Sequence, residues 1–409
     1  MTQSNFKVYK IRWFILIVYM LLVAANQLLW ITFAPITGDA TRYYGVSDLQ
    51  IGILSMCFMI VYVVVSIPAS WIIDKYGIRV GVGIGAVFTG VFGLIRGFAG
   101  PDYNLLLLAQ IGIAVGQPFI LNAITKLSAR WFPMEERATA AGLGTLAMYI
   151  GILAGMTVTP YLIRGSGING MLYMYGIFAI SIAVFFLLFI KERPATAPCL
   201  PEQEERSLVF DGFMSTIKTR DFIWLMIIFF IGLGVFNSVT TWIEDIMRPR
   251  GFSATQAGIT GGMMIVGGIV GALIIPMLSD KYKKRTPFII LALFGATLGL
   301  TGITFATSYW LMITSGMVLG FFLLSAGPVG FQYGAEITFP ASEGTSNGML
   351  LLMGQVSGIA FIFGMDSMKS AQTGSMTRSL VILIILMVLS TLMSLRLSES
   401  SILKKEEPV

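Results

Sequence analysis

Four short stretches set amide, aromatic and carboxylate side chains inside otherwise apolar runs of this 409-residue chain. They read NQLLWITFAP from Asn26 to Pro35, GQPFILN from Gly116 to Asn122, FNSVTTWIED from Phe236 to Asp245, and GMLLLMGQ from Gly348 to Gln355. A polar group in an apolar medium costs free energy unless it meets a partner, a cavity or a ligand. The chemistry open to these residues is recognition. The carboxamides of Asn26, Gln117, Asn237 and Gln355 both donate and accept hydrogen bonds, and the aromatic side chains of Trp30, Tyr62, Phe236 and Trp242 lie in the apolar runs with them or beside them. Each also has a plainer reading: Trp30 as an anchor at a membrane interface, the glutamines and asparagines as hydrogen bonds between helices. Glu244 and Asp245 lie close to Arg248 and Arg250. They fit an interfacial ion pair, or else Glu244 enters a cavity, where desolvation raises its pKa and makes it a proton carrier or a counter-charge for a cation. Asp39, Lys126 and Asp366 pose the same question.

Other chemistries are excluded by what the chain lacks. It has no histidine, hence no Ser-His-Asp triad, no His-Glu-x-x-His zinc site and no histidine proton relay. No Gly-x-x-x-x-Gly-Lys-Ser/Thr phosphate loop is present either, so this chain is not expected to drive pumping with ATP. The acids fall mostly at the ends of apolar runs rather than in clusters. No enzyme activity, no metal and no cofactor are expected.

The elements that carry these residues follow from composition. The chain is 56% hydrophobic and 12% charged, with a mean hydropathy of +0.82, far from a soluble domain. Apolar runs at 13–36, 50–73, 80–99, 104–126, 139–163, 169–190, 221–243, 256–278, 287–306, 309–333, 346–365 and 379–397 are each long enough to cross about 30 Å of hydrocarbon as a helix. The pattern is too continuous for barrel strands. The predicted fold class is an all-α membrane protein with twelve transmembrane helices in two six-helix halves. The first run follows Lys7, Lys10 and Arg12 and shows no small-residue cleavage site, so it reads as a retained helix.

Residues 191–220 hold three prolines and ten charges and form the longest polar segment. They divide the chain into halves 1–190 and 221–409, joined by a linker. Asp-Lys-Tyr occurs at 74–76 and returns 206 positions later at 280–282, after the second run of each half. Phe132-Pro133 with Glu136 is echoed by Phe339-Pro340 with Glu343 after the fourth run of each half. These echoes point to a duplicated six-helix unit. Placing both termini in the cytoplasm puts 20 of the 27 Lys and Arg on that side, as positive-inside topology requires. The formal charge of +6 then belongs to topology and anionic lipid, and no nucleic-acid partner is expected. Cys57 and Cys199 are too far apart in predicted depth to suggest a disulfide. The glycine faces Gly151-x-x-x-Gly155 and Gly258 to Gly271 read as packing surfaces or as sliding surfaces between the halves.

Two parallel six-helix halves around a central linker resemble the major facilitator superfamily over essentially the whole chain. Asp74-Lys75-Tyr76-Gly77-Ile78-Arg79 is similar to that superfamily's loop motif between helices two and three, with Ser70 in the first glycine slot, Lys75 for Arg and Ile78 for Arg. The second copy keeps Asp280, Lys281 and Arg285 but has Lys283 in the glycine position. The motif implies a gate, in which acids and bases pair across the halves to hold one conformational state. Ordinary interfacial charge is the alternative. The feline leukaemia virus subgroup C receptor-related family resembles this chain more closely. The shared stretches are Asn26 to Trp30, Gln117-Pro118-Phe119-Ile120-Leu121, and the run from Glu336 to Gly348. Y45-G-V47, the segment Leu54 to Tyr62 and Pro68-Ala69-x-Trp71 are also similar.

This resemblance implies a secondary or facilitative transporter that moves a small organic solute across the cytoplasmic membrane by alternating access, the solute being an amine or a cation such as choline. It implies that Trp30 is one wall of an aromatic cage and that Gln117 and Gln355 surround the ligand. Asn237, beside Phe236, stands where the family has a second cage aromatic. Trp242, one and a half turns further on, is the candidate substitute. Expected partners are a small-molecule substrate and membrane lipids, with the chain a monomer in a prokaryotic inner membrane. A sensor or receptor on the same scaffold, binding without moving its ligand, is the alternative from another class.

Overall fold

In lipid a backbone must satisfy its own hydrogen bonds, and a run of about twenty apolar residues does so only as a helix. The computed structural model describes residues 8–194, 196, 216–339 and 343–399. Most of the expected linker 191–220, together with Lys7, Cys199, Pro340, Lys404 and Lys405, lies outside these described residues. Among the described residues fourteen α-helices follow in order: α1 Ile11–Ile31, α2 Thr37–Tyr44, α3 Asp48–Tyr76, α4 Ile78–Gly97, α5 Tyr103–Leu121, α6 Ile124–Trp131, α7 Met134–Phe189, α8 Arg220–Thr241, α9 Ile243–Met247, α10 Ala254–Tyr282, α11 Thr286–Phe305, α12 Tyr309–Thr338, α13 Glu343–Ser367 and α14 Thr377–Ser394. Eleven helical stretches among the described residues are long and apolar enough to cross a membrane. One of them, α7, turns at Gly167 (φ 66°, ψ 177°) into two helices, which brings the crossing segments to the twelve expected. The protein is a multi-pass integral membrane protein.

Helix starts are marked by local chemistry. The Asp102 carboxylate accepts from the N–H groups of Asn104 (2.8 Å) and Leu105 (3.1 Å) ahead of α5. Ser253 and Gln256 form a reciprocal capping box at the start of α10, which satisfies donors that a first turn otherwise leaves open.

The chain forms two compact units. Among the described residues, the first holds the chain up to Phe33, Ala40–Val46, and the chain from Ile53 to the linker region. The second holds Ala34–Asp39, Ser47–Gly52 and the chain beyond the linker region. Two short pieces from the N-terminal part of the sequence thus fold with the second unit. In the first unit, α7 packs on α1 through its earlier part and on α4 through its later part, and α5 packs on both α1 and α4. Its core gathers Leu16, Tyr19, Ile78, Ile120, Trp131, Phe132 and Phe186. In the second unit, α12 lies between α10 and α11, and α8 packs on α13 and α14. Gly151 abuts the backbone of Ala24, and Gly271 and Gly320 abut the backbones of Phe321 and Met264. These glycines pack closely inside their own units.

Candidate functional site

The candidate residues of the first unit sit on three helices, and their surroundings separate them. Trp30, near the end of α1, is 6% exposed, and its indole N–H donates to the Ser55 carbonyl at 3.2 Å. That bond fixes the ring while its faces make no ring–ring contact among the described residues. It is not an exposed interfacial anchor. Gln117, on α5 immediately before the helix-interrupting Pro118, is also 6% exposed, yet makes no hydrogen bond among the described residues. Tyr62 donates to the Asn122 side chain at 2.6 Å, and Asn122 in turn donates to the hydroxyls of Ser66 (2.9 Å) and Ser70 (3.0 Å). Asn26 is different. It has no exposed surface, and its amide donates to Thr89 at 3.1 Å and to the Ile113 carbonyl at 3.5 Å. It joins α1 to α4 and α5, and the structure gives it no ligand-facing surface.

In the second unit, Asn237 on α8 donates to the Gly354 carbonyl of α13 at 3.1 Å, which sets it beside Gln355. Gln355 is half-buried and makes no hydrogen bond among the described residues. Phe236 is buried next to Asn237. Trp242 has no exposed surface, its N–H reaches the Ile362 carbonyl at 3.0 Å, and Gly52 lies against the ring's edge. It is core and does not replace the missing aromatic at Asn237.

Beyond the end of α8 lies a buried ion cluster, and here the interfacial pair expected of Glu244 and Asp245 takes another form. Glu244 is 4% exposed, and its Oε2 accepts from the Gly38 N–H at 3.0 Å and from Arg248 Nη1 at 3.1 Å. Asp245 Oδ1 accepts from Arg248 Nη2 at 2.6 Å and Lys369 Nζ at 2.7 Å. Asp48 accepts from the same Arg248 nitrogen at 3.0 Å and from Lys369. Burial, reinforced by neighbouring Asp245, pushes the Glu244 carboxyl up to about 7, and burial also raises that of Asp245. Arg248 and Lys369 are held above their ordinary values, because Asp245 and its neighbouring carboxylates outweigh the cost of burial. Arg250 takes no part. It donates to the carbonyls of Ile303 and Thr304 (2.9 Å for the latter) at the end of α11, the negative pole of that helix.

Most of the residues expected to pair across the halves have partners inside their own units among the described residues. Asp74 pairs with Lys126 at 3.1 Å, and Lys75 lies over the Trp71 ring at 4.7 Å. Arg79 points out from the protein and contributes its backbone N–H to Glu192 at 2.7 Å. In the second unit Arg285 pairs with Asp280 and with Glu336 (3.0 Å), while Lys281 lies over Tyr282. Arg285 N–H and Thr286 N–H donate to Glu399 at 2.7 Å and 3.3 Å. Ile78 N–H and Arg79 N–H donate to Glu192 in the same way. A carboxylate that follows the last helix of each half thus caps the start of that half's third spanning helix, an anion at a positive helix pole. The motif residues here fasten helices within each unit.

Sequence reasoning missed three of these residues. Asp48 and Lys369 are partners over 321 positions, which no spacing along the sequence reveals. Arg96 has no exposed surface. Its guanidinium donates to the Leu29 carbonyl and to Gln110, each at 3.0 Å. One usable signal was present: Arg248 follows Glu244 by four and Asp245 by three, spacings that bring side chains together on one helical face.

Comparison with known proteins agrees with this architecture. Residues 15–362 match the Major Facilitator Superfamily. An uncharacterized MFS-type transporter of Caenorhabditis elegans is 30% identical over 87% of this chain, and the match covers 64% of the worm protein, so the chain spans less than two thirds of that relative's length. Solute carrier family 49 member A3 of Xenopus tropicalis is 29% identical over 88% of this chain and 78% of its own. The choline/ethanolamine transporter flvcr2b of Danio rerio has the same identity and coverages. A bacterial homolog to the human lysosomal transporter Spinster superposes with a TM-score of 0.77 at 15% identity, covering 95% of this chain and 97% of that one. Relatives and neighbours alike are transporters, not enzymes. Matched by the family along most of its length, the chain belongs to the major facilitator superfamily of transporters and is similar to relatives named for the feline leukaemia virus subgroup C receptor-related type.

Proposed function

We propose that this transporter moves a small organic amine or cation, with choline the first candidate, across the cytoplasmic membrane by alternating access. The observation that carries the proposal is the contrast around Trp30. Its ring is buried and fixed by a single N–H bond to Ser55, while Gln117 in the same unit and, separately, Gln355 in the second unit make no hydrogen bond among the described residues. A quaternary ammonium donates no N–H and is held by ring faces, and amides suit the hydroxyl or amine at its other end. Relatives at 29% identity are named choline/ethanolamine transporters, which supports the same substrate class. Tyr62, Phe236 and Asn237 complete the proposed substrate residues. The halves 1–190 and 221–409 are the proposed moving bodies, and both termini are assigned to the cytoplasm by the distribution of Lys and Arg. The chain is taken to work as a monomer.

The test is uptake of labelled choline and ethanolamine into proteoliposomes holding the purified protein, with empty liposomes and a Trp30→Ala variant alongside. Saturable uptake that the variant loses is the expected result. Absence of uptake for both amines overturns the substrate class, and uptake unchanged in the variant overturns the role of Trp30.

A further inference from the structure

Three carboxylates, Asp48, Glu244 and Asp245, meet two cations, Arg248 and Lys369, beyond the end of α8. The cluster therefore carries one negative charge in excess, in a place where Asp245 has no exposed surface and Glu244 almost none. Asp245 Oδ2 is buried without a hydrogen-bond donor, so the acceptors outnumber what the two cations and the Gly38 N–H supply. Two further carboxylates act on its members. Asp39, from the α2 segment, acts on Glu244, and Asp366, at the end of α13, faces Lys369 and Asp48. Arg250 is turned to the end of α11, and α10, which packs on α9, has no titratable residue from 254 to 279. Buried charge with no counter-charge is relieved most simply by a proton.

We infer that this cluster is a proton-binding site centred on Glu244, and that the bound proton holds residues 34–39 and 47–52 in the second unit. The contacts that would do the holding are the Gly38 N–H on Glu244 and the Asp48 carboxylate on Arg248 and Lys369. Gly38 lies so close to the Arg248 guanidinium that any side chain there would collide with it. The sign follows from linkage. When these segments leave, Glu244 meets water and returns towards an ordinary value of 4.5, whereas in place it sits at about 7. The closed arrangement binds the proton more tightly, so the proton favours closure, and closure weakens as pH rises through the buried value. Only its use in coupling solute movement to protons rests on the transport reading.

The experiment is hydrogen–deuterium exchange of the full chain in nanodiscs at about pH 5.5 and about pH 8, corrected for intrinsic exchange, which needs no substrate. For a carboxyl moving between those two values, protection of peptides covering 34–52 is expected to fall about 30-fold across that range. Protection of α5 should not change. In Glu244→Gln, protection of 34–52 should be high and independent of pH. A native chain whose 34–52 protection does not fall with pH overturns the inference without recourse to any variant, as does a Glu244→Gln chain that keeps the native pH dependence. Failure of choline uptake with the pH-dependent protection intact would strike the substrate reading alone.

Discussion

Replacing Gly77 with Ala should destabilise the first unit, whereas replacing Lys283 with Gly, 206 positions on, should stabilise the second. Gly77 adopts φ 93°, ψ 179°, a region essentially confined to glycine, where a side chain costs about 1–3 kcal/mol. A Cβ at that position would also meet the Glu192 carboxylate, whose Oε2 lies 2.6 Å away. Moving Glu192 releases its bonds to the N–H groups of Ile78 (3.1 Å) and Arg79 (2.7 Å) and its pair with Arg130. These groups are partly exposed, so water recovers much of the loss, and about 1 kcal/mol for each N–H bond is a fair lower figure. The sum is about 3–5 kcal/mol, or roughly a 10 °C fall in melting temperature at about 2–4 °C per kcal/mol. Lys283 ends α10 in the left-handed conformation, φ 51°, ψ 39°. Glycine removes a steric cost of about 1–2 kcal/mol and returns part of it as unfolded-chain freedom. A gain of about 0.5–1 kcal/mol, a few degrees, is expected. Thermal melting in detergent, followed by the monodisperse fraction on size-exclusion, reads both. If Gly77→Ala melts with the native protein, the strained turn and its Glu192 cap do not hold the first unit together, and the reasoning fails.

Other expected outcomes follow from individual contacts. Trp30→Ala should raise the KM for choline uptake by roughly 30-fold, the equivalent of about 2 kcal/mol for a desolvated cation on a ring face. Asn26→Ala should show the converse, with about 1–2 kcal/mol of stability lost from its bonds to Thr89 and Ile113 and an unchanged KM in the same assay. Arg96 is buried with no carboxylate among its hydrogen-bond partners, and its Nε has none. Arg96→Met, which fills the space without the charge, should therefore melt within about 1 kcal/mol of native, whereas Arg96→Ala should cost about 3 kcal/mol or more by leaving a cavity.

The sequence was most informative where physics acts locally. Lipid forces each long apolar run to be a helix, so the spans could be read one by one, and the two Asp-Lys-Tyr turns fixed a register that the backbone repeats: Gly77 and Lys283, 206 positions apart, are both positive-φ residues at helix ends. The division of polar residues into bound and open ones was not legible. Asn26, Trp242, Gln117 and Gln355 look alike as polar or amphipathic side chains in apolar runs. Only the packed structure shows that the first two spend their donors on Thr89 and Ile362 while the glutamines do not.

The charged residues show why that limit exists. A motif such as Asp-Lys-Tyr-Gly-x-Arg gives the spacing of charges along one segment, but an ion pair needs a second segment, and nothing in the spacing names it. Asp74 found Lys126, Arg285 found Glu336, and the two glutamates that cap the third spanning helices, Glu192 and Glu399, come from more than 110 positions away. The cluster around Glu244 carries this furthest, since Asp48 meets Arg248 across 200 positions and Lys369 across 321. Glu244 was singled out early because an acid at the end of an apolar run has to be explained. What the fold adds is its company among the described residues: two more carboxylates and two cations, closed over by the Gly38 N–H. Taken alone, Glu244 is an interfacial acid. In that company it sits where excess negative charge is buried, and a proton is the smallest ligand that removes it.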